Sequence, residues 1–109
     1  MREDVRRAVA FAAAGRANGQ FSTSVYSYER RKYSSMSQTY DYEARCHLSG
    51  MRSGSIFHYG VRAHIAIKLN GRKFSGFDYH SRSHFSGKVS GNSVQLYDYG
   101  ERRYFNFSV

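Results

Sequence analysis

The run from Ser93 to Asp98, SVQLYD, constrains the fold more than any other stretch, because turn signals bound it on both sides. A two-residue turn at Gly91-Asn92 sets Val89 opposite Val94 and Gly87 opposite Leu96. A turn at Gly100-Glu101 sets Leu96 opposite Phe105 and Val94 opposite Phe107. A one-residue slip would move every side chain to the other face of a strand, so two turns that select the same apolar face support one register. That register carries Asp98 and Arg103 onto the inner face, and it places Tyr97 opposite Tyr104 and Gln95 opposite Asn106 on the outer one. The C-terminal third therefore reads as an antiparallel meander.

Upstream, Val61 to His80 holds two alternating runs around Asn70-Gly71, a strong short-range hairpin signal. Two registers compete there. A two-residue turn sets Ile67 opposite Phe74 and Lys68 opposite Lys73; it brings Asp78 and His80 to the apolar face. A three-residue bulged loop instead sets Ala66 opposite Phe74 and turns Asp78 outward, opposite Arg62.

The remaining strands follow from composition. Phe21 to Arg30 alternates loosely. Tyr40 to Leu48 alternates cleanly, with Cys46 among Tyr42, Ala44 and Leu48 as a small core residue. Ser55 to Leu69 reads as one long strand bent at a Gly60 bulge. Ser34 to Thr39 and His80 to His84 read as polar loops, and no repeat of fixed period is apparent. Before all of these, Val5, Ala8, Val9 and Ala12 recur at helical spacing, with Glu3 and Asp4 at the start and Gly15 or Asn18-Gly19 at the end. This helix has a narrow stripe of small side chains, which suits packing on a sheet.

The fold class expected is α+β, mainly β. An N-terminal helix (1–19) precedes an antiparallel six- to seven-stranded meander (20–109), closed as a small barrel or strongly curled and packed on the helix. A chain of 109 residues suits one domain.

Function is less legible. No nucleophile elbow, phosphate-cradling glycine loop or zinc-ligand spacing is present, so neither an enzyme nor a cofactor or metal site is expected. The five histidines, His47, His58, His64, His80 and His84, form no ligand signature. Acid–base dyads could be drawn from Asp78 with His80 or His84 with Asp98, but ordinary cross-strand pairing explains them. The single cysteine, together with the lack of a long apolar leader, points to a cytoplasmic protein.

The net charge is +9, and thirteen of the 17 basic residues are Arg. This composition favours anionic partners, because Arg binds phosphate through two parallel hydrogen bonds and stacks on aromatic rings. Basic and aromatic side chains interleave on the predicted outer face, as on surfaces that bind single-stranded RNA or DNA. The expected interface comprises Arg62, His64, Lys68, Lys88, Tyr97, Tyr99, Arg102 and Tyr104. A second expectation is a polar pocket built from Asp78, His80, Asp98 and Arg103. Two alternatives to nucleic acid are a small apolar ligand held within the sheet, between Val94, Leu96, Phe105 and Phe107, and a protein-interaction role.

Overall fold

The computed structural model describes residues 1–109. It begins with α1 (Glu3–Asn18) and continues through ten strands: β1 (Ser24–Ser27), β2 (Lys32–Ser35), β3 (Tyr40–Asp41), β4 (Cys46–Ser49), β5 (Ser55–His58), β6 (Ala63–Asn70), β7 (Lys73–Asp78), β8 (Ser83–Ser90), β9 (Ser93–Asp98) and β10 (Arg103–Ser108). The alanines of α1 are strong helix formers. Glu3 and Asp4 face its positive end, and Gly19 terminates it in the left-handed conformation at φ 72°, its N–H donating to the Gly15 carbonyl.

All strand pairings are antiparallel, in the order β2-β1-β10-β9-β8-β7-β6-β5-β4-β3. The two edges meet where the chain turns from β2 to β3. Met36 bridges Asp41, Ser37 N–H donates to Tyr40 O at 2.9 Å and Tyr42 N–H to Ser35 O at 3.1 Å. The sheet is thus a nearly closed barrel, with α1 running through its middle. The expected mainly β architecture holds, but there are ten strands rather than six or seven.

Packing inside the barrel follows from side-chain size. A helix surrounded by sheet must be thin and apolar on all sides. Val5, Ala8, Val9, Ala10, Phe11, Ala12, Ala13 and Ala14 are all buried, on every face of the helix rather than on one stripe. They meet Val25, Ile56, Ile65, Ile67, Phe74, Phe85, Val89, Val94, Leu96, Phe105 and Phe107 from the barrel wall. Gly76 makes room in that wall: a Cβ there would lie 2.5 Å from Cζ of Phe85.

The C-terminal meander keeps the expected register, with Val89 opposite Val94, Leu96 opposite Phe105 and Val94 opposite Phe107. The central hairpin adopts neither register proposed from sequence. Its turn is Gly71-Arg72, so that Asn70 pairs with Lys73, Leu69 with Phe74 and Ile67 with Gly76. Gly71, at φ 65°, takes the first central position, where a left-handed residue suits the twist of a two-residue hairpin.

The extra strands arise because two runs read as single strands are hairpins. Tyr40–Leu48 folds back through Tyr42–Arg45, and Ser55–Leu69 through Tyr59–Arg62, so Gly60 lies in a loop rather than a bulge. The polar stretch after Arg31 contributes β2 and the buried Met36. A recurring motif explains these reversals: aromatic, then Ser/Asp/His, Tyr, any two residues, Arg, any residue, Tyr/His. It begins at Tyr26, Tyr40, Phe57, Phe77 and Tyr97. The spacing between copies varies, so the recurrence has no fixed period.

Each copy folds alike. The second residue points inward and its side chain accepts loop N–H groups: Ser27 Oγ from Arg30 (3.3 Å), Asp41 Oδ1 from Glu43 and Ala44 (2.9 and 3.0 Å), His58 Nδ1 from Val61 (3.4 Å), Asp78 Oδ1 from His80 (2.9 Å), and Asp98 Oδ1 from Gly100 and Glu101 (2.9 and 3.3 Å). Such side-chain caps turn the chain even where no Gly or Pro marks the reversal, as in the hairpins at Tyr28–Arg31, Tyr42–Arg45 and Tyr79–Arg82. The motif Arg then takes a left-handed conformation in every copy: Arg31, Arg45, Arg62, Arg82 and Arg102, with φ between 53° and 58°.

A left-handed residue other than glycine costs on the order of 1 kcal/mol. Arg82→Gly is therefore expected to leave chemical-denaturation stability within about 1 kcal/mol of the parent, since the relief of strain offsets glycine's larger unfolded-state freedom. Arg82→Val, β-branched at the same φ, should lower stability by roughly 1–2 kcal/mol more than the glycine variant.

Candidate nucleic-acid interface

All five motif hairpins emerge at one end of the barrel, which also receives the N-terminus of α1. There Asp41, His58 and Asp98, three of the five inward residues, meet charged groups at the helix start. Arg7 Nε and Nη2 donate to Asp41 Oδ2 at 2.9 and 2.7 Å. Arg6 Nη1 and the Met1 amino group both reach Asp98 Oδ2 at 3.2 Å. Arg30 joins Glu3 (3.0 Å) to Glu43, which also accepts from Ser34 Oγ at 2.5 Å. Pairing compensates the burial of these charges. Around Arg7, desolvation opposes the charged form, but Asp41 and Glu3 outweigh it and the pKa stays above the ordinary Arg value.

The polar pocket expected from Asp78, His80, Asp98 and Arg103 does not assemble. Asp78 and Asp98 face inward and are buried; His80 and Arg103 are exposed. Asp78 accepts from His80 N–H and from Ser81 Oγ at 2.7 Å, acting as a loop cap. Asp98 and Arg103 are cross-strand partners without an ion pair, because Asp98 is held by Arg6 and Met1 while Arg103 pairs with Glu29 and lies 4.5 Å over the Phe105 ring. The dyads His80 with Asp78 and His84 with Asp98 are separated in the same way, imidazole outside and carboxylate inside.

His58 and Cys46 come together without forming a catalytic arrangement. His58 Nε2 faces both Asp4 Oδ2 (3.9 Å) and Cys46 Sγ (4.0 Å), whereas a relay would place acid and thiol on opposite ring nitrogens. Desolvation pushes the Cys46 thiol up and holds His58 below its ordinary value, leaving both neutral near pH 7. No three His, Cys, Asp or Glu side chains converge as metal ligands would.

The outer wall is different. Lys68, Asn70, Lys73, Ser75, Ser86, Lys88, Gln95, Tyr97 and Tyr104 line a shallow groove of about 620 Å³ across β6–β10, floored in part by Phe74 and Gly87. The β-strand alternation that buries Phe74, Val94 and Leu96 turns these polar side chains outward. Lys73 lies directly opposite Lys88, a like-charge pairing that disfavours the sheet. Every side-chain carboxylate sits on the helix start or in the motif hairpins, so no acid offsets the groove lysines. Six basic residues, Arg2, Arg6, Arg7, Arg30, Lys32 and Arg103, pair with carboxylates, and the groove lysines are not among them.

Of the eight interface residues expected from sequence, Lys68, Lys88, Tyr97 and Tyr104 come together in this groove. Tyr99 packs on Tyr97, with ring centroids 4.8 Å apart, and Arg102 follows in the same hairpin. Arg62 and His64 lie apart on the β5–β6 hairpin, where His64 Nδ1 is 3.2 Å from Ser55 Oγ. Lys73, absent from that expected set, joins the groove because it neighbours the inward Phe74 in β7, and strand alternation turns it outward opposite Lys88. No family model matches this chain, and neither curated proteins nor solved structures show a significant similarity to it.

The charged end sets an acid dependence. Arg30 and Ser34 hold the Glu43 carboxyl down at about 2 against its desolvation. A carboxyl pKa depressed on folding adds stability above the unfolded value of about 4.3, and that stability is lost as pH falls toward 2. Glu43→Gln should lower denaturation stability at pH 7 and flatten the decline between about pH 4.5 and 2; equal slopes for variant and parent would contradict this account.

Proposed function

We propose that this protein is a non-enzymatic binding module for an anionic macromolecule, single-stranded RNA or DNA first, held in the groove across β6–β10. The observation that carries the reading is the Lys68, Lys73 and Lys88 cluster: three cations on adjoining strands, two of them directly opposed, with no carboxylate nearby. A sheet that accepts such repulsion gains from an external anion. Tyr97 and Tyr104, 4.8 Å apart at the groove edge, offer ring faces to bases, and Ser75, Ser86, Gln95 and Asn70 offer hydrogen bonds to sugars and phosphates.

The burial of the four expected lining residues favours this reading over an apolar ligand inside the barrel. Val94, Leu96, Phe105 and Phe107 are buried to within 3% exposure and belong to one packed core with α1.

Binding of labelled single-stranded RNA and DNA over a salt series tests the proposal. Affinity should fall steeply with salt, and converting Lys68, Lys73 and Lys88 together to Gln should make the log–log slope shallower by about 2, as expected for three lost phosphate contacts on a single strand. No binding at low salt, or binding indifferent to salt, would reject it.

A further inference from the structure

The groove accounts for three lysines; it does not account for the motif arginines. Two positions of the motif are identical in all five copies, and both are solvent-exposed: Tyr28, Tyr42, Tyr59, Tyr79 and Tyr99, which are 51–59% exposed, and the left-handed arginines. The inward position, which does the structural capping, varies among Ser, Asp and His. Recurrence is therefore stricter outside the barrel than at the loop cap.

The tyrosines have a partial structural explanation. Each packs on the first aromatic of its motif, which also packs on the closing Tyr or His, giving five triads with centroid separations of 4.6–5.0 Å. Such pairs contribute about 0.5–1.5 kcal/mol each to holding a hairpin. The arginines have none. Arg31, Arg45, Arg62, Arg82 and Arg102 make no ion pair and no side-chain hydrogen bond, and lie over no aromatic ring. Each nevertheless occupies a backbone conformation that Gly or Asn adopts at lower cost.

We infer that the five Tyr–Arg hairpins form a ring of equivalent subsites for the phosphates and bases of one single strand wrapped around the barrel rim, continuous with the groove. The inference rests on the nucleic-acid reading above and extends it from one face to the whole circumference. Tyr97 and Tyr104 belong both to the groove edge and to the fifth triad, so a strand leaving the groove meets the ring directly. Successive subsites are two strands, about 10 Å, apart around the wall. Each offers a half-exposed ring for stacking beside a guanidinium for phosphate, the pairing that binds single strands without reading their sequence.

An anionic membrane fits this end less well. The loop tips between each Tyr and Arg carry three acids, Glu29, Glu43 and Glu101, against one Arg, Arg30, which pairs with Glu3 and Glu43; this balance disfavours a flat anionic plane pressed on the tips. A strand following the side wall avoids them. Glu29 and Glu43 are moreover engaged by Arg103 and Arg30.

The test uses five single variants, Arg31→Gly, Arg45→Gly, Arg62→Gly, Arg82→Gly and Arg102→Gly, and their combination, since Gly retains the left-handed backbone. Affinity for a labelled oligothymidylate of about 30 nucleotides is measured over a salt series, with thermal melts confirming the fold. Each single variant should weaken binding by a similar few-fold and reduce the salt slope by about 0.7, and the combined variant should lose most of the affinity and several units of slope. A loss confined to one variant would overturn the ring. So would undiminished binding by the combined variant that still depends on Lys68, Lys73 and Lys88, which would leave the groove reading standing. Failure of the parent protein to bind any oligonucleotide removes both readings. Ring-dependent binding to phosphatidylserine vesicles with unchanged oligonucleotide affinity would also overturn it.

Discussion

The rest of this structure depends on the enclosure of α1 within the sheet. A sixteen-residue helix is about 24 Å long, close to the molecule's extents of 29 × 27 × 26 Å, so it spans the barrel from end to end. Its alanines hold the wall near the helix axis on every side, which is why a weakly amphipathic segment is the most buried element of the chain. The wall answers with large residues, Phe74, Phe85, Phe105 and Phe107, and with Gly76 where a ring needs space. Interior volume is thus filled by the chain itself.

Enclosure also fixes where charge can go. The N-terminal turn of α1 brings Arg6 and Arg7 into one end of the barrel, where carboxylates of the wall, together with Glu3 of the helix, offset their burial. Asp41 and Asp98 do so while their other oxygen atoms cap the hairpin loops. One side chain thereby links a local turn to the central helix, coupling loop conformation to core assembly. Because the acidic residues gather at this end, the opposite half of the outer wall remains uniformly cationic, and the proposed groove lies there.

Individual sequence signals succeeded where local chemistry dominates. The helix, with Asn18-Gly19 as one of its two candidate stops, and the register of the last three strands were legible because spacing and turn residues act within a few positions of one another. The predicted outer placement of Lys68, Lys88, Tyr97 and Tyr104 followed from two-residue alternation once burial of the other face was assumed. Legibility failed at Tyr42–Arg45, where the reversal rests on a side-chain cap and a left-handed Arg with no Gly or Pro, and at Tyr59–Arg62, where the lone Gly60 read as a bulge in a continuing strand. There the alternation continued through the turn by coincidence. The five-fold motif was present in the letters, but its unequal spacing and its mixed Ser, Asp and His position hid it; the shared loop cap and left-handed Arg of the five hairpins reveal it.

By itself, the sequence determined a mainly β chain with one leading helix, a basic and Tyr-rich exterior, and a C-terminal meander in a single register, since each of these depends on composition, local periodicity or short turns. Only the tertiary structure decided that the sheet nearly closes around the helix. It also separated Asp78 and Asp98 from His80 and Arg103, set Lys73 against Lys88, and placed five arginines on one rim. These outcomes depend on which distant strands pair and on what the barrel can enclose, and no local stretch of sequence contains that information.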